Sequence, residues 1–120
     1  MTYEDALKKE PKELLNWLVK NFSVAIPEQV NSAEDMVLAS SKLLELSSKY
    51  SYLCNLASYA KIVCRDYKRN KDKQEYEDMV DKKEIIGYMS DSVKQSYQAL
   101  SRAVTIYIHN LEELKMLGHS

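Results

Sequence analysis

Residues 33–69 read AEDMVLASSKLLELSSKYSYLCNLASYAKIVCRDYKR, and the spacing of their apolar side chains decides the fold. Met36, Leu43, Tyr50, Ala57 and Cys64 recur every seven residues, interleaved with Ala39, Leu46, Leu53, Ala60 and Tyr67. These are the a and d positions of a heptad pattern, sustained over more than four heptads with no charge among them. Helices with such a seam pack lengthwise against another helix. At about 1.5 Å per residue, a helix over 33–69 is roughly 55 Å long.

Upstream, Asn31-Ser32 supplies an N-cap, with Glu34 and Asp35 as acids in the first turn. Pro27 disfavours helix at Ile26. An earlier helical piece, opened by Pro11 and carrying Leu14, Leu15, Trp17, Leu18 and Phe22, should therefore end near Asn21. Thr2 with Asp5 caps a short first helix. Residues 1–30 read as a short helical arm and residues 31–120 as the body of a single domain.

Downstream, Tyr76, Met79, Lys83, Ile86, Ser90, Val93, Tyr97, Leu100, Val104, Tyr107, Leu111 and Leu114 alternate by threes and fours. This second register should run to Leu117-Gly118, with Gly118 as the C-terminal cap, and Gly87 should mark a bend or a close helix approach. Only a few residues around Lys71 separate the two registers. So short a connection forces an antiparallel return. The fold class is thus all-α: a long, coiled-coil-like antiparallel hairpin with a short N-terminal helix.

One seam leaves apolar surface over. Tyr52, Leu56, Tyr59 and Val63 form a second stripe at i, i+4, i+7 and i+11, and Ile85, Tyr88, Met89, Ala99, Ala103 and Ile106 also lie off the seam. The Trp17 helix and a second copy of the chain are both expected to cover it, giving a homo-oligomer. The candidate interface residues are Tyr52, Leu56, Tyr59, Val63, Tyr88, Ile106 and Tyr107.

Composition narrows the function classes. Net charge is −1 with 29% charged residues, so no global field draws the chain to nucleic acid or an anionic membrane, and any such binding must be local. No apolar run approaches the ~20 residues of a membrane span. The N-terminus, MTYEDALKKE, is too polar for a secretory signal, and the expectation is a soluble, cytoplasmic protein. Cys54 and Cys64 lie roughly 15 Å apart on one helix, too far for a disulfide, and fit reduced thiols. No metal-ligand spacing, glycine-rich phosphate loop or nucleophile–base set is present, so neither metal, cofactor nor enzyme activity is expected.

The segment CRDYKRNKDKQEYEDM, residues 64–79, poses the functional question. Residues 61–73 hold six basic and two acidic side chains, and Lys61, Arg65 and Lys68 share one helical face beside Arg69, Lys71 and Lys73. Such a cluster neutralises phosphates, and nearby tyrosines stack on unpaired bases. The same residues also suit helix dipoles: cations close one helix, while Glu75, Glu77, Asp78, Asp81 and Glu84 open the next. Further along, residues 92–111 contain no carboxylate, and Lys94, Gln98, Arg102, Thr105 and His109 form a strip of donors, read either as a phosphate track or as an ordinary solvated face. Among nine tyrosines, Tyr50, Tyr67, Tyr76, Tyr97 and Tyr107 occupy seam positions, leaving Tyr52, Tyr59 and Tyr88 as stacking candidates.

The opening MTYED, the capped helix from Asn31-Ser32, its basic close AKIVCRDYKR and the segment KKEIIGYMSDSVKQSYQALSRAVTIYIHNLEELKM together resemble the small helical recombination-mediator proteins of tailed phages, the UvsY type. The likeness covers roughly residues 31–117. It implies a ring-like homo-oligomer that binds single-stranded DNA and helps a recombinase displace the single-strand-binding protein. Lys61, Arg65, Lys68 and Arg69 then become DNA-facing, and Arg102 through Leu114 the assembly segment. The longer N-terminal arm and the shorter, more charged tip depart from the family's pattern.

Three functional expectations follow. The first is a non-enzymatic, oligomeric, single-stranded-DNA-binding protein using Lys61, Arg65, Lys68, Arg69, Lys71, Lys73 and Arg102. The second is a phage-encoded protein-binding inhibitor or adaptor, such as an anti-defence (anti-CRISPR-like) protein acting on a host target. A purely structural coiled-coil unit is the third.

Overall fold

The computed structural model describes residues 2–118, which form α1 (Tyr3–Leu7), α2 (Pro11–Phe22), α3 (Ala33–Arg69) and α4 (Lys73–Gly118). No described residue lies in a strand. Local signals set the helix starts. Thr2 Oγ1 accepts from the Asp5 amide at 3.1 Å, and Pro11 occupies the first turn of α2. At α3 the cap is reciprocal: Ser32 Oγ accepts from the Asp35 amide at 3.1 Å, and the Asp35 carboxylate accepts from the Asn31 amide at 3.0 Å.

Three residues, Asn70, Lys71 and Asp72, reverse the chain. The Lys71 amide donates to the Lys68 carbonyl at 3.2 Å and the Asp72 amide to the Tyr67 carbonyl at 3.0 Å. This is the Schellman ending, whose pivot takes a left-handed conformation. Lys71 is that pivot, with φ 58°. Asp72 then caps α4, its side chain accepting from the Glu75 amide at 3.4 Å and its carbonyl from the Tyr76 amide at 2.9 Å.

The molecule is a rod of 73 × 22 × 18 Å in which α3 and α4 pack antiparallel along their seams. Burial is lopsided. The d row is sealed over its middle, with Ala39, Leu46, Leu53 and Ala60 on α3 against Met79, Ile86, Val93 and Leu100 on α4, while Tyr67 and Tyr107 beyond them are half-buried. In the a row only Cys64 is buried; Met36, Leu43, Tyr50, Ala57, Tyr76 and Val104 are half-exposed, and Tyr97 is exposed. Burial instead spreads to the g positions flanking the d row, Leu56, Lys82 and Met89.

The N-terminal arm is the cause. α2 lies along α4 and α1 against α3, bringing Ala6, Leu7, Leu14, Leu18 and Phe22 into the core. Tyr52 sits amid the arm's rings, 5.0 Å from Tyr3, 5.4 Å from Phe22 and 6.4 Å from Trp17 between centroids. Lys82 Nζ, otherwise enclosed, donates to the Leu7 carbonyl at 2.7 Å. A cation thereby meets the free carbonyls that end α1.

The fold class and the bounds of α3 agree with the sequence reading, and α2 ends at Phe22, one residue past Asn21. Two expectations change. The stripe Tyr52, Leu56, Tyr59 and Val63 is covered from within the chain: Leu56 is fully buried, the other three are half-buried, and Tyr59 lies 6.3 Å from Tyr3. This stripe is therefore core and not a face left for a partner. Of the remaining interface candidates, Tyr88 and Ile106 are exposed and Tyr107 is half-buried. Gly87 serves no close approach, because a Cβ there meets nothing within 4 Å, and α4 runs through it. Gly118 is the last described residue of α4, so whatever caps that end lies outside the described residues.

Candidate nucleic-acid interface

The seam has two edges, and the arm clads only one. On the clad edge the cations are engaged: Lys42 and Lys49 lie 3.4 and 3.1 Å from Glu45, and Lys82 holds Leu7. The hydrogen bond from Lys49, reinforced by Lys42, holds the Glu45 carboxyl below its ordinary value. The other edge is lined by the e positions, which include Lys61 and Lys68 on α3 and Lys73 and Lys94 on α4. Here the cations are free. Among the described residues, Lys61, Arg65, Lys68, Arg69, Lys71, Lys73, Lys94 and Arg102 are all exposed and none is paired with a carboxylate.

At the tip, this edge ends in an open notch of about 250 Å³ between the close of α3 and the start of α4. Tyr67 and Tyr76 wall it, with Lys68, Lys71, Lys73 and Asp72 around them. Asp72 is occupied as a cap, and Asp78 accepts from Gln74 at 3.2 Å. Dipole complementarity accounts for the order of charges along the chain. It does not account for two tyrosines opening onto the lysines. That combination presents π-faces to a base and ammonium groups to its phosphates.

A second concavity, of about 300 Å³, lies further along the same edge between Ser47 and Tyr50 of α3 and Lys94, Tyr97 and Gln98 of α4. It continues along α4 past Ser101, Arg102 and Thr105. A hydrogen bond to Cys54, and then the charge the same thiol can carry, raise the Tyr50 phenol above its ordinary value of 10.0, so it is uncharged at neutral pH. Arg102, grouped with the tip cations by residue type, is roughly 45 Å from Lys73 at about 1.5 Å per helical residue. The structure therefore splits the predicted set in two: Lys61, Arg65, Lys68, Arg69, Lys71 and Lys73 gather at the tip, and Arg102 belongs to the flank. His109 leaves the donor strip, because its Nε2 lies 3.3 Å from the Glu113 carboxylate.

Of the three stacking candidates, Tyr88 alone is exposed, and the seam tyrosines Tyr50, Tyr67 and Tyr76 pack against the core while also facing the concavities. Tyr52 and Tyr59 stack within the arm, whereas the seam residues Tyr50, Tyr67, Tyr76 and Tyr97 line the two concavities. The e positions carried part of this signal, since Ser40, Ser47, Lys61 and Lys68 on α3 and Lys73, Lys94 and Ser101 on α4 make that flank mostly polar, but Cys54 and Val80 lie on it too. Among the described residues no three potential metal ligands cluster, and no helix is long and apolar enough to cross a membrane. The chain matches no protein-family model, no curated protein and no solved structure. The resemblance to recombination mediators rests on the quoted residues alone.

Proposed function

We propose that this chain is a non-enzymatic helical protein that binds single-stranded DNA through the basic end of its unclad edge, acts in an assembly of several copies, and assists a recombinase or replication complex. One observation carries the reading: Lys42, Lys49 and Lys82 beneath the arm are engaged, while the cations of the open edge stand exposed and unpaired beside tyrosine rings. The resemblance of SRAVTIYIHNLEELKM to the closing helix of recombination mediators supports the placement in recombination. The mechanism is electrostatic, with phosphates displacing counterions at the tip and each further copy adding contacts on the same strand.

Fluorescence polarisation with a labelled single strand at several salt concentrations tests it. Replacing Lys61, Arg65 and Lys68 together by glutamine lowers the slope of log affinity against log salt by about 2, since each phosphate contact on a single strand contributes roughly 0.7. An unchanged slope removes these residues from the interface. The rival reading, a protein-binding adaptor or inhibitor, draws on the exposed apolar end of α4. It predicts no oligonucleotide binding at any salt concentration.

A further inference from the structure

We infer that the flank groove is a second, separate contact for single-stranded nucleic acid, taking an unpaired base on Tyr97 and Tyr50 and the neighbouring phosphates on Lys94 and Arg102. This rests on the single-strand reading above and adds a place that the tip does not include. Three observations converge on it. Tyr97 occupies a seam position, where a coiled-coil side chain is ordinarily enclosed, yet it is 40% exposed and opens into the groove. Lys94 and Arg102 stand one on each side of it along α4, both exposed and neither paired with a carboxylate among the described residues. Residues 92–111 contribute no carboxylate and the α3 wall supplies only Ser47 and Tyr50, so Asp91, whose charge reaches Tyr50, marks the tipward end of the groove.

The chemistry selects an unpaired strand. Every base has a π-face that stacks on a tyrosine regardless of sequence, whereas in a duplex those faces are already stacked on neighbouring pairs. An acidic peptide pairs with Lys94 and Arg102 but makes no use of two ring faces. Glu77, Glu84 and Asp91 lie on α4 between the tip and the groove. They stand between the two sites, whose tyrosines Tyr76 and Tyr97 are roughly 30 Å apart along α4 at about 1.5 Å per residue. A single copy thus grips a strand at two points with a looped segment between.

The test uses the whole protein and two labelled strands of equal length, oligothymidylate and its abasic counterpart. Tyr97→Leu weakens binding to oligothymidylate roughly fivefold or more, because one stacked base is worth ~1–3 kcal/mol. Tyr97→Phe keeps the ring and the affinity, and the abasic strand binds Tyr97→Leu and wild type alike. Lys94→Gln with Arg102→Gln lowers the salt slope by about 1. Photocrosslinking with a bromodeoxyuridine strand labels the tryptic peptide 95–102, which holds Tyr97. Wild-type affinity in Tyr97→Leu, or crosslinks confined to Tyr67 and Tyr76, overturns the groove while leaving the tip standing. Failure of wild type to bind either strand overturns both.

Discussion

At position 71 a lysine holds φ 58°, a conformation that costs a residue with a Cβ about 1–2 kcal/mol and costs glycine little. Nothing else in the reversal is strained, since Tyr67, Lys68 and Asp72 complete the helix ending and start the next helix around it. Lys71→Gly should therefore stabilise the hairpin by about 0.5–1 kcal/mol, the steric relief being partly offset by the greater freedom of glycine in the unfolded chain. Urea unfolding checks this: the midpoint should rise with no change in the m-value. The same substitution removes one wall of the notch, so single-strand affinity should fall as stability rises. A joint fall would mean that the lysine side chain supports the turn itself. Residue identity forecast the tip cations correctly as solvent-facing, because no apolar neighbour competes for them. It also placed Tyr50, Tyr67, Tyr76 and Tyr107 against the core, where they pack, but not the opening beside Tyr97, since a phenol at a seam position can be enclosed on one flank and open on the other.

At the scale of elements, the arm decides which flank is which. α1 is only five residues long, too short to hold itself, and depends on what it touches. Its buried anchors are Ala6 and Leu7, and Lys82 reaches across to the Leu7 carbonyl. Replacing Lys82 by methionine keeps the length and removes the donor, and a lost hydrogen bond to a charged group is worth about 1.5–3 kcal/mol. Hydrogen exchange should accelerate at the amides of α1 while those around Leu46 and Leu53 keep their protection. Unchanged exchange at α1 would show that Ala6 and Leu7 suffice. The bounds of α3, and of α4 at its start, were readable because caps and heptads act over a few residues. The choice of edge was not. It depends on how Trp17 and Phe22, joined to α3 by the stretch 23–32, meet Tyr52, and both flanks offered apolar residues to receive them.

On the scale of the whole molecule, α4 has 46 residues and α3 only 37, and the C-terminal end of α4 carries exposed apolar side chains. Ile108, Leu111 and Leu114 are exposed there, Leu114 at 64%. In the assembly proposed above, the matching row of a second copy covers this one, because a two-fold arrangement lets each end serve as the partner of the other. Full burial of each leucine contributes about 1.5–3 kcal/mol, so two substitutions should suffice to break the contact. Light scattering should give a mass above the 13.9 kDa of one chain for wild type and that of one chain for Leu111→Ser with Leu114→Ser. The double variant should still melt cooperatively, at the temperature of a lone subunit and independently of protein concentration, since neither leucine packs in the hairpin core. Assembly also separates avidity from intrinsic affinity. The double variant should bind a strand long enough for two copies at least tenfold more weakly than wild type, while affinity for a strand that fills a single copy stays the same. A monomeric wild type, or an equal loss on both strands, would confine binding to the single subunit and leave the bare end of α4 to another kind of partner.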